Sequence, residues 1–478
     1  MSVVSPPRRQ VAPPPVVNPF PIRYPDSSSR QVMTRRAWWL VVLNVLVPGS
    51  AQALAGNKRL GRVGLGATLL LWTLIVVAAL VGILWRPAFL NIATNWFALL
   101  AAQVLLLAYA VLWVVLTIDT IRLVRLVKLR PWARLAVGVV AAAALVFASG
   151  GAVYASNMVG SARAALGSVF TQTGPAIPPD DGYYNILLLG GDSGDGRDSV
   201  RYDSISVVSV NAETGAVTIF GIPRDMPGVP FSPGPMRDLY PDGLEAHDDD
   251  TCGWGSGINQ LTNAVEVCRA DGGDSLYPDA RKNGSEPAIE ATKDAAEGVL
   301  GISIPFYAFL DMNGFAALID SLGGVDINVV ERLPKGGPHY EGQPVDDWAF
   351  GWIEPGQQHM DGDTAQWYAR SRYTTSDFDR MRRQRELQEA IFAQFTPQNV
   401  LARFQDVAAA GTHIVRTDVP QSMLGYFVDL ALKGKGQPVA AIDLTPANGV
   451  DEFAPDWDAV HELVQGRLHP PSPAPDAG

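Results

Sequence analysis

The chain has 478 residues, a formal net charge of -11 and 47% hydrophobic residues. It is therefore too long for one ordinary domain and carries enough apolar content for a large core. Its arginines are concentrated in one region of an acidic chain instead of being spread along a groove, which argues against nucleic-acid binding.

The first third of the chain separates into a polar arm and an apolar region. Residues 1–34 are rich in Pro, Ser and Arg and are predicted to be a disordered arm. Residues 35–158 form a predicted membrane region that is too apolar and too long for a signal peptide. Three apolar runs in it are long enough to cross a bilayer, at 65–84, 97–119 and 133–155.

A shorter apolar run precedes these three spans. It extends from Trp38 to Val47 and ends in the turn sequence Pro48-Gly49-Ser50. The basic residues before and after it are predicted to lie on the same side of the membrane. We therefore interpret residues 37–56 as a re-entrant segment, with a fourth span as the alternative.

Basic residues predict the orientation of the membrane region, because Lys and Arg favour cytoplasmic loops. The arm, the loop at 57–64 and the loop at 120–134 are rich in Lys and Arg, whereas the loop between the first two spans holds only Arg86. The sequence thus predicts a multi-pass protein of the cell membrane with a cytoplasmic arm. Everything after about residue 160 is predicted to be extracytoplasmic.

The only two cysteines, Cys252 and Cys268, both lie in this outer region. Their position favours a disulfide, since extracytoplasmic spaces are oxidising. Closing this short loop would contribute about 3 kcal/mol by the chain-entropy estimate. The alternatives are two free thiols or a zinc site, although the six histidines show none of the usual zinc-binding spacings.

The outer region alternates strand-like and helical patterns. Apolar runs predict strands at 184–190, 204–210 and 216–222, with a hairpin turn at 211–215. Further strands are predicted at 306–310 and 325–330, and helices at 258–269, 287–300, 313–322, 362–368 and 377–395. The fold class is therefore α/β: a layered domain over residues 180–440 with a central sheet flanked by helices. Residues 466–478 are predicted to be a disordered tail.

A dense cluster of arginine stands out in this acidic chain. It comprises Arg370, Arg372, Arg380, Arg382 and Arg383. Arginine grips carboxylate or phosphate with two hydrogen bonds at once. The positions i, i+3 and i+4 of residues 380, 383 and 384 place them on one face of a helix. The alternative is a solvated basic helix.

Charged residues also follow or begin the predicted strands, where ligands of open α/β sheets bind. They are Asp192 after the first strand, Arg201 and Asp203 before the second, and Arg224 and Asp225 after the third. Arginines suit the two negative charges of a pyrophosphate, and a pair of carboxylates suits a hard cation such as Mg²⁺. The alternative is that these side chains pair among themselves.

A set of motifs from this region resembles one family. YNILLLGGDS, VRYD, GIPRD, GIN, LGGVDINV, WYARSRY and SDFDRMRRQ occur in the order found in the LytR-CpsA-Psr family of cell-wall glycopolymer ligases. The resemblance covers roughly residues 180–400, and the cysteine pair with its long loop is similar to the actinobacterial branch.

The resemblance implies a membrane-anchored phosphotransferase that moves a glycopolymer from a polyprenyl-pyrophosphate carrier to peptidoglycan. It implies an apolar tunnel for the polyprenyl chain and metal ligation of Mg²⁺ (or Mn²⁺) by Asp192 and Asp203. The implied catalytic residues are Arg224, Asp225, Arg370 and Arg372, with Asp225 a candidate to accept the hydroxyl proton. The implied pyrophosphate-binding residues are Arg201, Arg224, Arg370, Arg372, Arg380, Arg383 and Gln384.

Two departures from the family pattern stand out. Family members often carry an arginine two residues after the first aspartate, where this chain has Gly194 and then Arg197. The membrane region is also larger than a single anchor. Arabinogalactan, teichoic-acid-like and capsular polymers all fit as the glycan. A non-catalytic polyprenyl-pyrophosphate binding module and a pyrophosphate hydrolase are the alternative functions.

Overall fold

A computed structural model describes residues 22–170, 176–192, 201–249, 251–395 and 415–470. The chain forms two compact units. The first comprises Met1–Leu80 with Ala101–Asn157, and the second comprises Val81–Leu100 with Met158–Gly478.

The first unit is helical. Its helices are α1 (Arg30–Leu46), α2 (Ser50–Ala55) and most of α3 (Lys58–Leu84), α5 (Trp96–Val124) and α6 (Pro131–Val169). The segment predicted to be re-entrant is thus a helix, a turn at Pro48-Gly49 and a helix of only six residues. Hydrogen bonds from two buried side-chain amides hold this segment against α5. Asn44 donates to Thr117 Oγ1 at 3.1 Å, and Gln52 donates to the Leu116 carbonyl oxygen at 2.8 Å.

Three helical segments in the described part of the chain are long and apolar enough to cross a membrane. They are Lys58–Leu84, Trp96–Lys128 and Pro131–Ala164, and they contain the three predicted apolar runs. Most of their large apolar side chains are exposed, as expected for helices whose surroundings are lipid.

The second unit is built on a six-stranded mixed sheet. Its strands are β1 (Tyr183–Asp192), β2 (Arg201–Asn211), β3 (Val217–Ile222), β4 (Phe306–Asp311), β9 (Val415–Thr417) and β10 (Ala440–Asp443), in the order β10-β3-β2-β1-β4-β9. Strand β1 runs antiparallel to β2 and parallel to β4, and β3 runs antiparallel to β2 and parallel to β10. The carboxyl ends of β1, β3, β4 and β10 therefore meet the amino end of β2 at one edge.

The helices and two small sheets complete this unit. Its helices are α4 (Arg86–Thr94), α7 (Pro235–Leu239), α8 (Pro287–Leu300), α9 (Met312–Leu322), α10 (Gly362–Arg370), α11 (Asp377–Gln394), α12 (Leu424–Gly434) and α13 (Trp457–Leu468). Strands β5 (Val325–Val329) and β8 (Gly356–Met360) pair, as do β6 (Leu333–Lys335) and β7 (Gly351–Ile353). The predicted α/β class, with a central sheet and flanking helices, is confirmed.

The two faces of the large sheet differ. Alternating residues such as Leu187, Leu189 and Val207 belong to the main core, which α8 and α13 also enter. Their neighbours Ile186, Leu188 and Val208 line cavities on the opposite face. Because side chains alternate along a strand, the sheet has one solid face and one hollow face.

Most predicted elements have the predicted type. Helix α8 spans residues 287–300 as expected, and α11 begins at an N-cap, Ser376, whose side chain accepts from the Asp379 amide in a capping box. The stretch predicted as a helix over 258–269 is helical but irregular. A 3-10 turn at Ile258–Gln260 continues through Leu261 and Thr262 into a π-helix at Asn263–Val267.

The long connection between β3 and α8, residues 223–286, is tied down at several points. A disulfide joins Cys252 to Cys268, as predicted, with a Cα–Cα distance of 5.6 Å. Glu266 Oε1 accepts from the Ala288 amide at 2.9 Å, and the Tyr277 hydroxyl donates to Asp294 at 2.5 Å. These contacts fix the connection against α8.

Helix α4, from the loop between the first two apolar runs, packs on α12 in this unit. Gln421 Nε2 donates to the Thr94 carbonyl oxygen at 2.8 Å. A Cβ atom at Gly425 would overlap the backbone of Asn91, so only glycine permits this approach.

The burial of the Asp294 carboxyl group predicts a pH-dependent stability. Burial raises the pKa of Asp294 to about 6. Because the folded-state pKa lies above the unfolded one, the stabilisation is complete below the unfolded pKa and is lost as pH rises through about 6. In the wild type, the thermal midpoint should therefore fall between acidic pH and neutrality. We expect Asp294→Asn, which mimics the protonated acid, to remove this fall.

The midpoint would be measured by differential scanning fluorimetry of the full-length protein, with exposed Asp242→Asn as control. An Asp294→Asn profile parallel to that of the wild type would contradict this prediction.

Candidate active site

The charged residues predicted at strand ends meet at the common edge of the large sheet. Arg201 begins β2 and Asp203 is its third residue, whereas Arg224 and Asp225 follow the end of β3 after one proline. The chain reverses between β1 and β2, so that Asp192 pairs with Arg201 in the register. The segments α10 and α11 bring the second group of arginines to the same edge.

A charged cavity of about 840 Å³ lies at this edge. It is lined by eight of the predicted site residues: Arg201, Asp203, Arg224, Asp225, Arg370, Arg372, Arg380 and Gln384. These come from separate parts of the sequence, and folding collects them around one space. Five arginines and two aspartates leave an excess of positive charge, which suits an anionic ligand.

Arg224 is the centre of a carboxylate network. Its guanidinium donates to Asp203 and, at 3.2 Å, to Asp225, and it lies 3.9 Å from Asp377. Burial lowers the pKa of Arg224, but the three carboxylates outweigh that effect and raise it. The network therefore holds the Arg224 side chain in place. At Arg224, the structure thus shows the pairing among site residues that the sequence left as the alternative.

Arg380 supplies charge that the network does not balance. It is only 4% exposed and donates to Asp377 at 2.9 Å. Its Nε is buried and has no hydrogen-bond partner within the described ranges. Burial, and then the charge of Arg224, lower the pKa of Arg380. An unpaired buried guanidinium N–H in a cavity with surplus positive charge fits an anion as the missing acceptor.

Two further cavity arginines, Arg370 and Arg372, lie beside aromatic rings. The guanidinium of Arg370 lies 5.4 Å from the centre of the Trp367 ring, and that of Arg372 lies 5.8 Å from the Tyr373 ring. Cation–π contacts orient a guanidinium without using its N–H donors. Gln384 Nε2 donates to the Ala369 carbonyl oxygen at 3.3 Å, which leaves the amide oxygen of Gln384 available in the cavity.

The predicted metal ligands are only partly described. The side chain of Asp192 and the positions Gly194 and Arg197 lie outside the described residues. Asp203 lines the cavity while accepting a hydrogen bond from Arg224. Among the described side chains, no group of three or more His, Cys, Asp and Glu could hold a metal ion. The donor set fits Mg²⁺ only if ligand phosphate oxygens and water complete it.

Arg383 does not line the charged cavity, and its predicted role needs correction. The side chain is 1% exposed and donates to Glu331 at 2.9 Å and to the Tyr368 carbonyl oxygen at 3.2 Å. It also donates to the Ser371 carbonyl oxygen and to Thr375. Its donors thus hold the segment between α10 and α11, which carries Arg370 and Arg372.

The cavity also contains residues that the sequence did not assign to it. The long connection contributes the amide side chains of Asn259, Gln260 and Asn263. The arginine motif contributes the rings of Trp367 and Tyr373, and the loop after β6 contributes Gly336 and Gly337. Only Asn259, in the GIN motif, and the aromatic residues flanking the arginines had a signal in the sequence.

Two apolar cavities continue from the charged one. The first, about 270 Å³, shares Met312, Ala369, Arg370 and Gln384 with the charged cavity. The second, about 630 Å³, shares Leu188, Phe392 and Phe395 with the first. Both lie on the hollow face of the sheet, where α9, α11 and α12 contribute apolar side chains. An arginine-rich cavity thus adjoins an apolar space.

Such a fold and site suit a protein that acts on an amphiphile with an anionic head and an apolar tail. A family model gives the more specific answer. The LytR_cpsA_psr family matches residues 157–228 and 279–462, more than half of the chain. The chain belongs to this family. With its three apolar helices, the protein is anchored in the membrane and its α/β domain is extracellular.

Characterised relatives are distant. The chain is 24% identical over 242 residues to the polyisoprenyl-teichoic acid–peptidoglycan teichoic acid transferase TagU of Bacillus mycoides, covering 50% of this chain and 62% of that protein. It is 25% identical over 323 residues to the cell wall biosynthesis protein LcpA of Corynebacterium glutamicum, covering 62% and 58%. The chain thus spans about three fifths of the length of these relatives.

Solved structures match a similar share of this chain but are themselves covered almost completely. Bacillus subtilis TagV is 20% identical with a TM-score of 0.39, covering 60% of this chain and 98% of TagV. TagT bound to LIIa-WTA is 19% identical with a TM-score of 0.38, covering 62% and 95%. Since both TM-scores are low, the description of the fold rests on this chain's own sheet.

The contacts of Arg383 predict a structural role. We expect Arg383→Met to lower the free energy of unfolding by about 3 kcal/mol. It leaves the carbonyl oxygens of Tyr368 and Ser371 without this donor, and Glu331 keeps only the longer contact with Arg382 at 3.5 Å. Arg372→Met, at an exposed position, should leave stability unchanged. Both would be measured by thermal denaturation of the full-length protein. Loss of pyrophosphate binding with an unchanged thermal midpoint in Arg383→Met would show that Arg383 binds the ligand after all.

Proposed function

We propose that the protein is a phosphotransferase that moves a glycopolymer from a polyprenyl-pyrophosphate carrier to peptidoglycan. The observation that carries the proposal is that the charged cavity adjoins the first of two neighbouring apolar cavities. A polyprenyl pyrophosphate has an anionic head joined to a long apolar tail, and these adjoining spaces match both parts. Family membership, the transferase TagU and the cell wall biosynthesis protein LcpA support the same reaction.

The head of the carrier would be held by guanidinium groups. Arg201, Arg224, Arg370, Arg372 and Arg380 can donate to its phosphate oxygens, and Arg380 has a buried N–H to satisfy. Bidentate donors suit phosphate better than single ammonium groups do. The tail would extend past Ala369 and Gln384 along the hollow face of the sheet.

The proposed reaction exchanges one oxygen for another at phosphorus. An acceptor hydroxyl of peptidoglycan attacks the phosphorus that bears the glycan, and the bond to the bridging oxygen breaks. Polyprenyl phosphate leaves with the bond's electron pair. Asp225 lines the cavity and is the candidate to accept the hydroxyl proton. Arg224, Arg370 and Arg372 would stabilise the charge that develops on the phosphate oxygens.

We propose Asp192 and Asp203 as the holders of a Mg²⁺ or Mn²⁺ ion. Their strands are neighbours, and the register brings the end of β1 against the start of β2. Such an ion, when bound, would neutralise phosphate charge and act as a Lewis acid. Removing it with a chelator tests this assignment separately from the arginine contacts.

The multi-pass arrangement is part of the proposal. Three spans, with α1 and α2 as a re-entrant pair, would place the arm in the cytoplasm and the charged cavity outside. The carrier lipid would then reach this domain from the membrane, and the peptidoglycan acceptor would reach it from the cell wall.

A transfer assay with purified full-length protein tests the reaction. Labelled glycan on peptidoglycan supports the proposed function. Phosphate release without acceptor would instead indicate a pyrophosphate hydrolase, and tight lipid binding with neither product would indicate a non-catalytic binding module.

We expect Arg370→Ala to lower kcat/KM by about 10²-fold, or about 3 kcal/mol, by analogy with a lost oxyanion donor. The exposed and remote Arg467→Ala serves as control, and equal activity of both variants would argue against the site.

The passage between the charged and first apolar cavities predicts tail selectivity. Ala369 lines both spaces. We expect Ala369→Phe to weaken binding of farnesyl diphosphate about tenfold, because the larger side chain obstructs the tail. Inorganic pyrophosphate should bind as in the wild type. Isothermal titration calorimetry measures both affinities. Unchanged farnesyl diphosphate binding would exclude this route for the tail.

A further inference from the structure

Part of the long connection lies outside the family match. Residues 229–278 lie between the two blocks that match the family model. They contain the disulfide, and Ile258, Leu261 and Val265 anchor them in the main core. The segment is thus a fixed wall and not a loose insertion.

This segment presents uncharged side chains to the charged cavity. Asn259, Gln260, Asn263 and Val267 line it, and all four lie between the two cysteines. Cys268 directly follows Val267, so the disulfide holds the end of the lining stretch. Because five arginines would already serve a pyrophosphate, these four uncharged side chains suit a different, uncharged part of the ligand.

The amides form a chain that begins at the proposed reaction centre. The Asn259 amide N–H donates to the Arg224 carbonyl oxygen at 3.0 Å, and Asn259 Nδ2 donates to Asp225 at 2.7 Å. Gln260 Nε2 in turn donates to Asn259 Oδ1 at 3.1 Å. The uncharged wall therefore adjoins the residues that would hold the phosphates.

Their chemistry matches a sugar. An amide offers both a donor and an acceptor, as the hydroxyl groups of a sugar require, whereas a guanidinium offers donors only. Trp367 and Tyr373 add ring faces against which the C–H groups of a sugar can pack. The cavity volume of about 840 Å³ lies in the range of sites for much larger ligands than pyrophosphate alone.

We propose that residues 259–267 are a sugar subsite that binds the uncharged sugar joined directly to the donor's pyrophosphate. Gln260 and Asn263 are specificity-determining residues that hydrogen-bond its hydroxyl groups, and the disulfide holds them in position. This inference rests on the proposed function, because it takes the arginines as the site of the pyrophosphate.

The test compares two kinds of ligand on full-length protein by isothermal titration calorimetry. One is farnesyl diphosphate. The others are its conjugates with N-acetylglucosamine, glucose and galactose through the terminal phosphate. We expect Gln260→Ala and Asn263→Ala each to raise the Kd of the conjugate that the wild type binds best about tenfold, the effect of one lost hydrogen bond. The Kd of farnesyl diphosphate should change by less than about twofold.

Gln357→Ala, at an exposed position on β8 that lines none of the three cavities, is the matched control and should bind every ligand as the wild type does. Equal changes in Kd for farnesyl diphosphate and its conjugates would overturn the sugar subsite. An unchanged Kd for all of these ligands would overturn it too, and is the result expected if these amides bind the acceptor instead. If the wild type binds no farnesyl compound, the proposed function itself fails.

Discussion

The site depends on the attachment of one helix, α11, to the carboxyl edge of the large sheet. Arg385 on this helix pairs with Asp443 at the end of β10 at 2.9 Å, and Gln388 donates to Ser206 of β2 at 3.2 Å. Asp377, at the start of the helix, faces both Arg224 and Arg380. These contacts cross from helix to sheet, so the helix cannot shift without disturbing the edge where the charges meet.

The same helix joins the two kinds of cavity. Along one face it presents first Arg380 and Gln384, and then Leu387 and Ile391. These positions follow the helical repeat of three and four residues, so a single stripe changes from cationic to apolar within three turns. That change matches the change from head to tail in an amphiphilic lipid. Arg383, about a sixth of a turn away from this stripe, instead pairs with Glu331 and backbone carbonyl oxygens.

The sheet supplies the remainder of the arrangement. One face is filled by the main core, and the other is left hollow between the strands and α9, α11 and α12. On the filled side, residues 229–278 add a disulfide-closed wall that the family model does not match. In the proposed function, the scaffold that the family model matches would bind the phosphates and the tail, while the segment between the two matched blocks adds amide groups beside them. Helix α4, packed on α12, adds a second element from outside the family match.

Local pattern in the sequence determined the type of most elements and the chemistry of the site. Alternating or continuous apolar runs marked β1 to β5 and the helices α8 to α11, and the motifs marked every arginine that reaches the charged cavity. Strands β6 to β8 escaped prediction because they are three to five residues long and largely polar or turn-like. Only the tertiary structure decided that Arg383 faces inward while Arg380 faces the cavity, and that Gln260 and Asn263 join them. Helical periodicity places side chains within one element, but the partner that each one meets depends on contacts between segments far apart in sequence.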